Sequence, residues 1–371
     1  KDDIKVKIVL LTQNIYNLAG CEFNISSPKQ LGEVLFDKLH LPYGKKNKTG
    51  YSTDVNVLNK LKGDYPIVDL ILEHRSLSKL NSTYVEGILN AVSNDGKIHT
   101  IYTQTITRTG RLSSIEPNLQ NIPVRNEYGR LIRKAFIPEA NSKIMSSDYS
   151  QIELRIFAHL SQNEKLIDAF NNNMDIHTKT AMDIFHVSKE EVTKDMRRHA
   201  KAVNFGILYG ISSFGLAEDL GIPVSEAKKI MDKYFEAYPG IKEFMKKLIE
   251  EATTKGYALT IMNRKRVIEE LTNPNYIIKN MGQRMALNTP IQGSSADILK
   301  KAMVEIENEF QKLKLKSKML LQVHDELIFN VLDNEQETVI KVVSNIMENT
   351  YKISVPLVVD INFGANWYEA K

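Results

Sequence analysis

Apolar positions recur at two periods along this chain, and the changes of period mark its organisation. In the first 90 residues Leu31, Val34, Leu35 and Leu39 keep the spacing of one helix face. A basic loop follows at Gly44-Lys45-Lys46-Asn47-Lys48-Thr49-Gly50. Its cations beside glycines could touch phosphates, though taken alone the loop reads first as a solvated turn. Residues 97–106 alternate and are β-branched, which predicts a strand. A short apolar stretch from Lys143 to Ser147 leads into Asp148, and helical spacing then takes over at Ile152, Leu154, Ile156, Phe157 and Leu160. Residues 151–255 read as almost entirely helical, with Pro223 and Ser225 opening one helix and Pro239-Gly240 separating it from the next. Gly256 to Ile268 predicts a short hairpin around Asn263-Arg264. A long helical region starts near Asn275 and is expected to break at Pro290. Two apolar runs around His324-Asp325-Glu326 predict a hairpin over 318–332. A helix near 334–350 and a strand at Leu357–Phe363 end the pattern. Strands near both ends of a helical insertion predict an α+β fold.

Composition adds limits. The chain has 371 residues, enough for two or three domains and a sizeable core. Hydrophobic residues make up 42% and charged residues 25%, as in ordinary globular proteins. Lys and Arg number 49 against 45 Asp and Glu, a formal charge of +4. That mild excess permits a nucleic-acid partner without requiring one. The single cysteine, Cys21, excludes an internal disulfide and fits a reducing compartment. No apolar run approaches the ~18–20 residues of a membrane span. The first residue is Lys1 and no signal-peptide pattern follows, so the chain is expected to be a fragment of a longer protein.

Three constellations carry candidate chemistry. The first is Asp148-Tyr149-Ser150-Gln151-Ile152-Glu153-Leu154-Arg155, where Asp148 sits at a strand-to-helix junction. A carboxylate there serves as a helix cap or projects from the sheet edge as a ligand. The second is His324-Asp325-Glu326 at the hairpin tip. Adjacent carboxylates resist burial unless a cation neutralises them; a solvated turn is the other reading. If Asp148 and Asp325 lie on neighbouring strands, they form an oxygen-rich site of the kind Mg²⁺ prefers. Two such ions clamp the attacking and leaving oxygens of a phosphoryl transfer. The third runs from Arg197 to Gly210. Arg197, Lys201, Phe205 and Tyr209 are four apart, so they form one slowly winding stripe on a helix. Two cations at one end and two rings at the other suit a polyphosphate with a stacking base, or an amphipathic helix with snorkelling charges.

Together these stretches resemble the A, B and C motifs of the family-A DNA polymerases, the bacterial DNA polymerase I type. Motif A matches at 148–155, motif B at 197–210 (Arg-Arg-x-x-Lys-x-x-x-Phe-Gly-x-x-Tyr-Gly) and motif C at 323–326 (Val-His-Asp-Glu). Thr109-Gly110-Arg111-Leu112-Ser113-Ser114, Pro117 to Pro123, Asp175-Ile176-His177-Thr178 and Pro290-Ile291-Gln292-Gly293 agree as well. The resemblance covers nearly the whole chain.

It implies a right-hand fold, with the thumb over 1–90, the palm over 91–150 and 312–371, and helical fingers over 151–311. It also implies template-directed DNA synthesis: addition of deoxynucleotides to a primer 3′-hydroxyl with release of pyrophosphate. Two Mg²⁺ ions are implied, with Mn²⁺ as a substitute. Asp148, Asp325 and the Tyr149 carbonyl would hold them, with Glu326 as the auxiliary carboxylate. Arg197, Lys201 and His177 resemble residues that hold the triphosphate, and Lys201 resembles the acid for the leaving pyrophosphate. Gln151 falls among the nucleotide-binding positions. Phe205 resembles the residue against sugar and base, Tyr209 the ring at the template position, and Glu153 the steric gate against a 2′-hydroxyl. Arg111, Asn118, Asn121, Arg284, Gln292 and His324 match contacts to primer and template, largely in the minor groove, where base-pair patterns are nearly degenerate.

Two positions depart from the family pattern: Asn81 stands where Lys is common and Asn263 where Gly is usual. The resemblance implies primer-template DNA and deoxynucleoside triphosphates as partners, a monomer, no membrane, and a bacterial cytoplasm or nucleoid, with organelle and phage as other sources. No proofreading exonuclease is expected within these residues. A polymerase using ribonucleotides or an RNA template, a non-catalytic DNA-binding module and a two-metal nuclease are the competing readings. Asp148 and Asp325 oppose the module, and the helix that would grip phosphate opposes the nuclease.

Overall fold

The computed structural model describes residues 2–44, 46, 47, 50–123 and 127–371. Lys45 and Lys48 of the basic loop lie outside the described residues. The chain divides into two compact units. One comprises residues 1–101 and 116–132, the other 102–115 and 133–371.

The first unit is mainly helical. Its long helices, Asp2–Ala19 and Pro66–Lys79, bury Ile15, Leu31, Leu35, Leu58 and Ile71 in a common core. Leu31, Val34 and Leu35 are buried and Leu39 half-buried, as their spacing predicts. The strand expected over 97–106, where the chain passes from the first unit into the second, forms only over Ile101–Thr103. Ile101 and Ile106 stay exposed, so the alternation has no buried face to extend it.

The second unit is built on a four-stranded antiparallel sheet: β1 (Ser142–Tyr149), β2 (Lys318–Val323), β3 (Glu326–Leu332) and β4 (Val359–Gly364), in the order β4-β1-β3-β2. The two middle strands are buried on both faces. Ile144 to Ser147 and Glu326 to Val331 are continuous buried runs, which explains why neither alternates in sequence. Helices α1 (Ile152–Ser161), α2 (Ile176–Phe185), α3 (Lys194–Leu208) and α4 (Val224–Ala237) lie between β1 and β2 in sequence, and α5 (Gln336–Asn349) joins β3 to β4. One core joins Met145 and Phe329 of the sheet to Ile156, Val203 and Tyr234 of the helices.

The predicted hairpins form at Tyr257–Leu259 with Lys265–Val267, and at β2 with β3. Asn263 takes a φ of 62° in the first turn. This left-handed conformation is what glycine supplies freely and asparagine tolerates. Pro290 behaves differently from expectation. The helix Tyr276–Asn288 runs through a π-type turn, Thr289–Gly293, into the helix Ser294–Lys312. Widening one turn accommodates the missing N–H and bulky ring without breaking the rod.

The C-terminal turn folds back on the sheet. Trp367 is fully buried and its ring is stacked by the Arg133 guanidinium at 4.2 Å. A Cβ on Gly364 would lie 2.5 Å from the Ala370 nitrogen and 2.6 Å from the Glu369 carbonyl carbon. Both obstacles are backbone. Gly364→Ala should therefore lower the unfolding free energy by about 1–3 kcal/mol in a urea titration; an unchanged midpoint would contradict this close approach.

Candidate active site

Pairing register assembles the site. Asp148 is the partner of Glu326 on β3 and of Asp360 on β4, so three carboxylates share one row and one face of the sheet. The Tyr149 N–H donates to the Asp325 carbonyl at 3.2 Å, tying the end of β1 to the tip of the β2–β3 hairpin. That tip is a two-residue connection, and its first residue, His324, has a φ of 57°. Tight hairpins demand a positive φ at that position. Gln151, between β1 and α1, is also left-handed at 55° and caps the helix without a side-chain hydrogen bond. Asp148 is therefore not the helix cap. The expectation of a solvated tip is half right: the Asp325 side chain is 27% exposed, but that of Glu326 is only 2%.

Glu326 is buried because it is satisfied. It accepts from the Ser146 hydroxyl at 2.6 Å and from the Lys371 ammonium at 2.9 Å, with the buried Arg133 guanidinium 4.0 Å away. Asp325 accepts from the Ser295 hydroxyl at 3.1 Å and has Arg111 at 3.7 Å. Asp148 lacks such support. Burial pushes its carboxyl up to about 6, Lys371 opposes this, and Glu326, Asp325 and Asp360 add to the rise. Among the described residues no three His, Cys, Asp or Glu side chains converge as a ready metal cage. The donor set nonetheless fits a hard divalent cation: two carboxylates at one end of the sheet, half-buried and open to solvent, in a field that disfavours their joint ionisation.

A second layer runs from Asp325 to the helix α3. Arg111 reaches the buried Glu153 carboxylate at 2.6 Å, and the Tyr209 hydroxyl donates to the other oxygen of Glu153. Burial raises the Glu153 carboxyl, against the opposing pull of Tyr209 and Arg111. Tyr209 stacks with Phe205 at 6.4 Å, and Phe205 lies 5.6 Å from the His177 ring. Gln292 acts on the Tyr209 hydroxyl. Arg284 is exposed and packs beside Gly210, whose φ is 67°.

The stripe on α3 is mixed, as its sequence predicts. Lys201 is exposed, whereas Arg197 grips Asp175 with two bonds, 3.2 and 2.8 Å. Asp175 also caps α2 through the Thr178 N–H. Burial raises its carboxyl, but the Arg197 and Thr178 hydrogen bonds win and hold it at about 2. His177 is 4% exposed. Burial holds it down at about 4, Asp175 opposes, and Arg197 and Lys201 lower it further, so the ring is neutral at pH 7.

Asn118 and Asn121 belong to the first compact unit. There the Asn118 side chain accepts from the Gln120 N–H at 3.0 Å, and the Asn121 carbonyl accepts from the Tyr84 hydroxyl. The supporting residues Ser146, Ser295, Arg133 and Lys371 escape a motif reading. Lys371 lies 45 positions beyond Glu326 with no local signal linking them. Ser146, two residues before Asp148, and Ser295, three residues after Gln292, lie beside recognised stretches; Arg133 and Lys371 do not.

The carboxylate row yields a stability prediction for the protein stripped of divalent ions. A raised Asp penalises the folded state only when ionised: no penalty below its ordinary 3.8, a growing one up to about 6, a full one above. Asp148→Asn should stabilise the chelator-treated protein at pH 7.5 by on the order of 2 kcal/mol, with the gain fading as the pH falls from 6 to 4. Thermal melts at several pH values would read this, and a pH-independent gain would contradict the electrostatic cause.

The model for DNA polymerase family A matches residues 1–369. DNA polymerase I of Bacillus caldotenax is 52% identical over 373 residues, covering 100% of this chain and 42% of that protein. DNA polymerase I of Lactococcus lactis subsp. cremoris is 54% identical over 366 residues, covering 98% and 42%. The POL domain of Pol1 from M. smegmatis, solved in complex with DNA primer-template and dNTP, aligns with a TM-score of 0.95 at 44% identity, covering 100% of this chain and 65% of that one. The chain thus spans about two fifths of the length of these curated relatives.

Proposed function

Since the chain belongs to DNA polymerase family A, we propose that it copies a DNA template, adding deoxynucleotides to a primer 3′-hydroxyl and releasing pyrophosphate. The observation that carries this is the junction of β1 with the β2–β3 hairpin. It sets Asp148 and Asp325 side by side and connects them, through Arg111, Glu153 and Tyr209, to the helix of Arg197, Lys201 and Phe205. Primer-template DNA and a deoxynucleoside triphosphate are the natural partners, since the M. smegmatis domain was solved with both. No helix among the described residues is long and apolar enough to cross a membrane. The work of a bacterial cytoplasm is consistent with the bacterial relatives.

In this reading Asp148, Asp325 and the Tyr149 carbonyl would hold two Mg²⁺ ions, or Mn²⁺ as a substitute, and such a site would supply neutralisation of the triphosphate and a lowered pKa at the primer hydroxyl. Glu326 keeps the pair in place, because its own oxygens are taken by Ser146 and Lys371. Arg197, Lys201 and His177 bind the triphosphate, and Lys201, exposed and cationic, protonates the leaving pyrophosphate. Arg197 must exchange Asp175 for phosphate, so its carboxylate contact keeps the guanidinium extended until substrate arrives. Phe205 faces sugar and base, and Tyr209 stacks at the template position until a base replaces it. Glu153, held from both sides, closes the space a 2′-hydroxyl would need, with Gln151 beside it. Arg111, Asn118, Asn121, Arg284, Gln292 and His324 contact primer and template. Residues 1–90 act as thumb, 91–150 with 312–371 as palm, and 151–311 as fingers.

Primer extension with Mg²⁺ and deoxynucleotides tests the proposal directly. Asp148→Ala and Asp325→Ala should each cut extension by roughly a thousandfold while leaving duplex affinity within a few-fold. Extension retained in either variant removes it from the metal site, and no extension by the unaltered chain overturns the function. Glu153→Ala should raise ribonucleotide incorporation relative to deoxynucleotide; unchanged selectivity would strip Glu153 of the gate role.

A further inference from the structure

Behind the exposed cations of α3 lies a buried polar chain that the motifs do not account for. Asn204 sits on α3 between Val203 and Phe205 and is 1% exposed. An amide buried at that depth must be hydrogen-bonded or costs on the order of 1–3 kcal/mol. Its Nδ2 lies 3.2 Å from His177 Nδ1 and donates to the Thr180 hydroxyl at 3.0 Å. Thr180 Oγ1 is in turn 3.2 Å from the Tyr238 hydroxyl and from Asn204 Oδ1. Tyr238 donates to Asp183 Oδ2 at 3.0 Å, and Asp183 is paired with Lys179. The chain therefore crosses from α3 to α2 and to Tyr238, the residue that caps the C-terminus of α4.

We propose that Asn204 is a positioning residue that, through this chain, fixes His177 as an Nε2–H donor toward the incoming triphosphate. The direction follows from the far end. A carboxylate paired with a lysine only accepts, so the Tyr238 proton points at Asp183. The Tyr238 oxygen is then free to accept from Thr180, and Thr180 to accept from the Asn204 amide. Both amide atoms reach Thr180 Oγ1, Nδ2 at 3.0 Å and Oδ1 at 3.2 Å, but only Nδ2 also reaches His177 Nδ1, so one N–H serves Thr180 and the second is left for His177. A ring nitrogen that receives a hydrogen bond carries no proton, so the neutral imidazole holds its proton on Nε2. Nε2 has no hydrogen-bond partner among the described residues. The charged groups acting on the ring are Asp175, Arg197 and Lys201, two of them the cations assigned above to phosphate. A neutral N–H there adds a directed donor to two point charges, without a third positive charge to desolvate. Without Asn204 the ring is free to place its proton on Nδ1 and present a bare lone pair to an anion.

This rests on the reading of His177 as a triphosphate contact, and two measurements separate the ideas. Imidazole ¹⁵N NMR of the unaltered protein at pH 7, with the His177 resonance assigned by its loss in His177→Gln, should show a neutral ring protonated at Nε2. A proton on Nδ1 overturns the proposal without any variant. In Asn204→Asp the replacement oxygen only accepts, so the proton should move onto Nδ1; an unmoved proton again overturns it. Steady-state extension then gives the functional link. Asn204→Leu should raise the KM for deoxynucleotide about tenfold, the loss of one hydrogen bond to a charged group, with kcat changed less than about threefold. In a His177→Ala background the same substitution should have no further effect on KM. Additive effects in the double variant would make Asn204 merely structural. If His177→Ala leaves KM unchanged while the NMR behaves as expected, the triphosphate role of His177 fails and the tautomer assignment stands.

Discussion

The antiparallel register of β1 against β3 is the constraint on which the rest depends. It sets Asp148 opposite Glu326, and β4 adds Asp360 to the same row. Like charges directly opposite in a sheet are destabilising, and both middle strands are buried, so water does little to relieve them. The fold responds by bringing in cations and donors from distant parts of the chain. Lys371 arrives with the C-terminal turn, Arg133 from the segment before β1, and Ser146 from the neighbouring position on the same face of β1. Close packing at Gly364 and the stack of Arg133 on Trp367 hold that turn against the sheet. Glu326 is thereby neutralised inside the protein. Asp148 is not, and the remaining imbalance is what a divalent ion would remove.

The same economy of charge links the sheet to the helices. Arg111 sits between two acids, Glu153 at 2.6 Å and Asp325 at 3.7 Å, and Glu153 is shared with Tyr209. A change at any of these groups leaves another buried group unpaired, so they behave as a unit rather than as independent contacts. This joins the carboxylate end of the sheet to the aromatic end of α3. Substrate positioning in phosphoryl transfer demands that connection, since most of the catalysis is orientation and charge neutralisation.

Residues that act at an element's end were legible in the sequence, because local pattern marks ends. Asp148 after an apolar stretch, His324-Asp325 between two apolar runs and the four-residue spacing from Arg197 to Tyr209 all found their elements. The order of strands in the sheet was not legible. It depends on pairings between segments more than 170 positions apart, such as Ser147 with Leu327, and no local period encodes them. Pro290 misled for a different reason: proline's local rule forbids an α-turn, but not the wider turn that tertiary packing made available. Asn204 was hidden by its neighbours. A polar residue amid Val203, Phe205 and Ile207 reads as one more position on a mixed helix, and only its burial reveals that it must have partners.

The cations assigned to phosphate and DNA differ in exposure from the groups that hold the site together. Lys201, Arg197 and Arg284 are exposed, while Asn204, Glu326 and Arg133 are buried. Exposure lets a charge exchange one partner for another at small cost, as the role proposed for Arg197 would require of its contact with Asp175. Burial makes a hydrogen bond directional and hard to lose. A formal charge of +4 over 371 residues conveys none of this, because charges separated by more than about 8–10 Å in physiological salt scarcely feel one another. The sum averages a carboxylate row that repels itself with a cationic helix some distance along the same core. Each field acts only locally, and a reaction that joins a divalent ion to a polyphosphate needs one of each sign within reach.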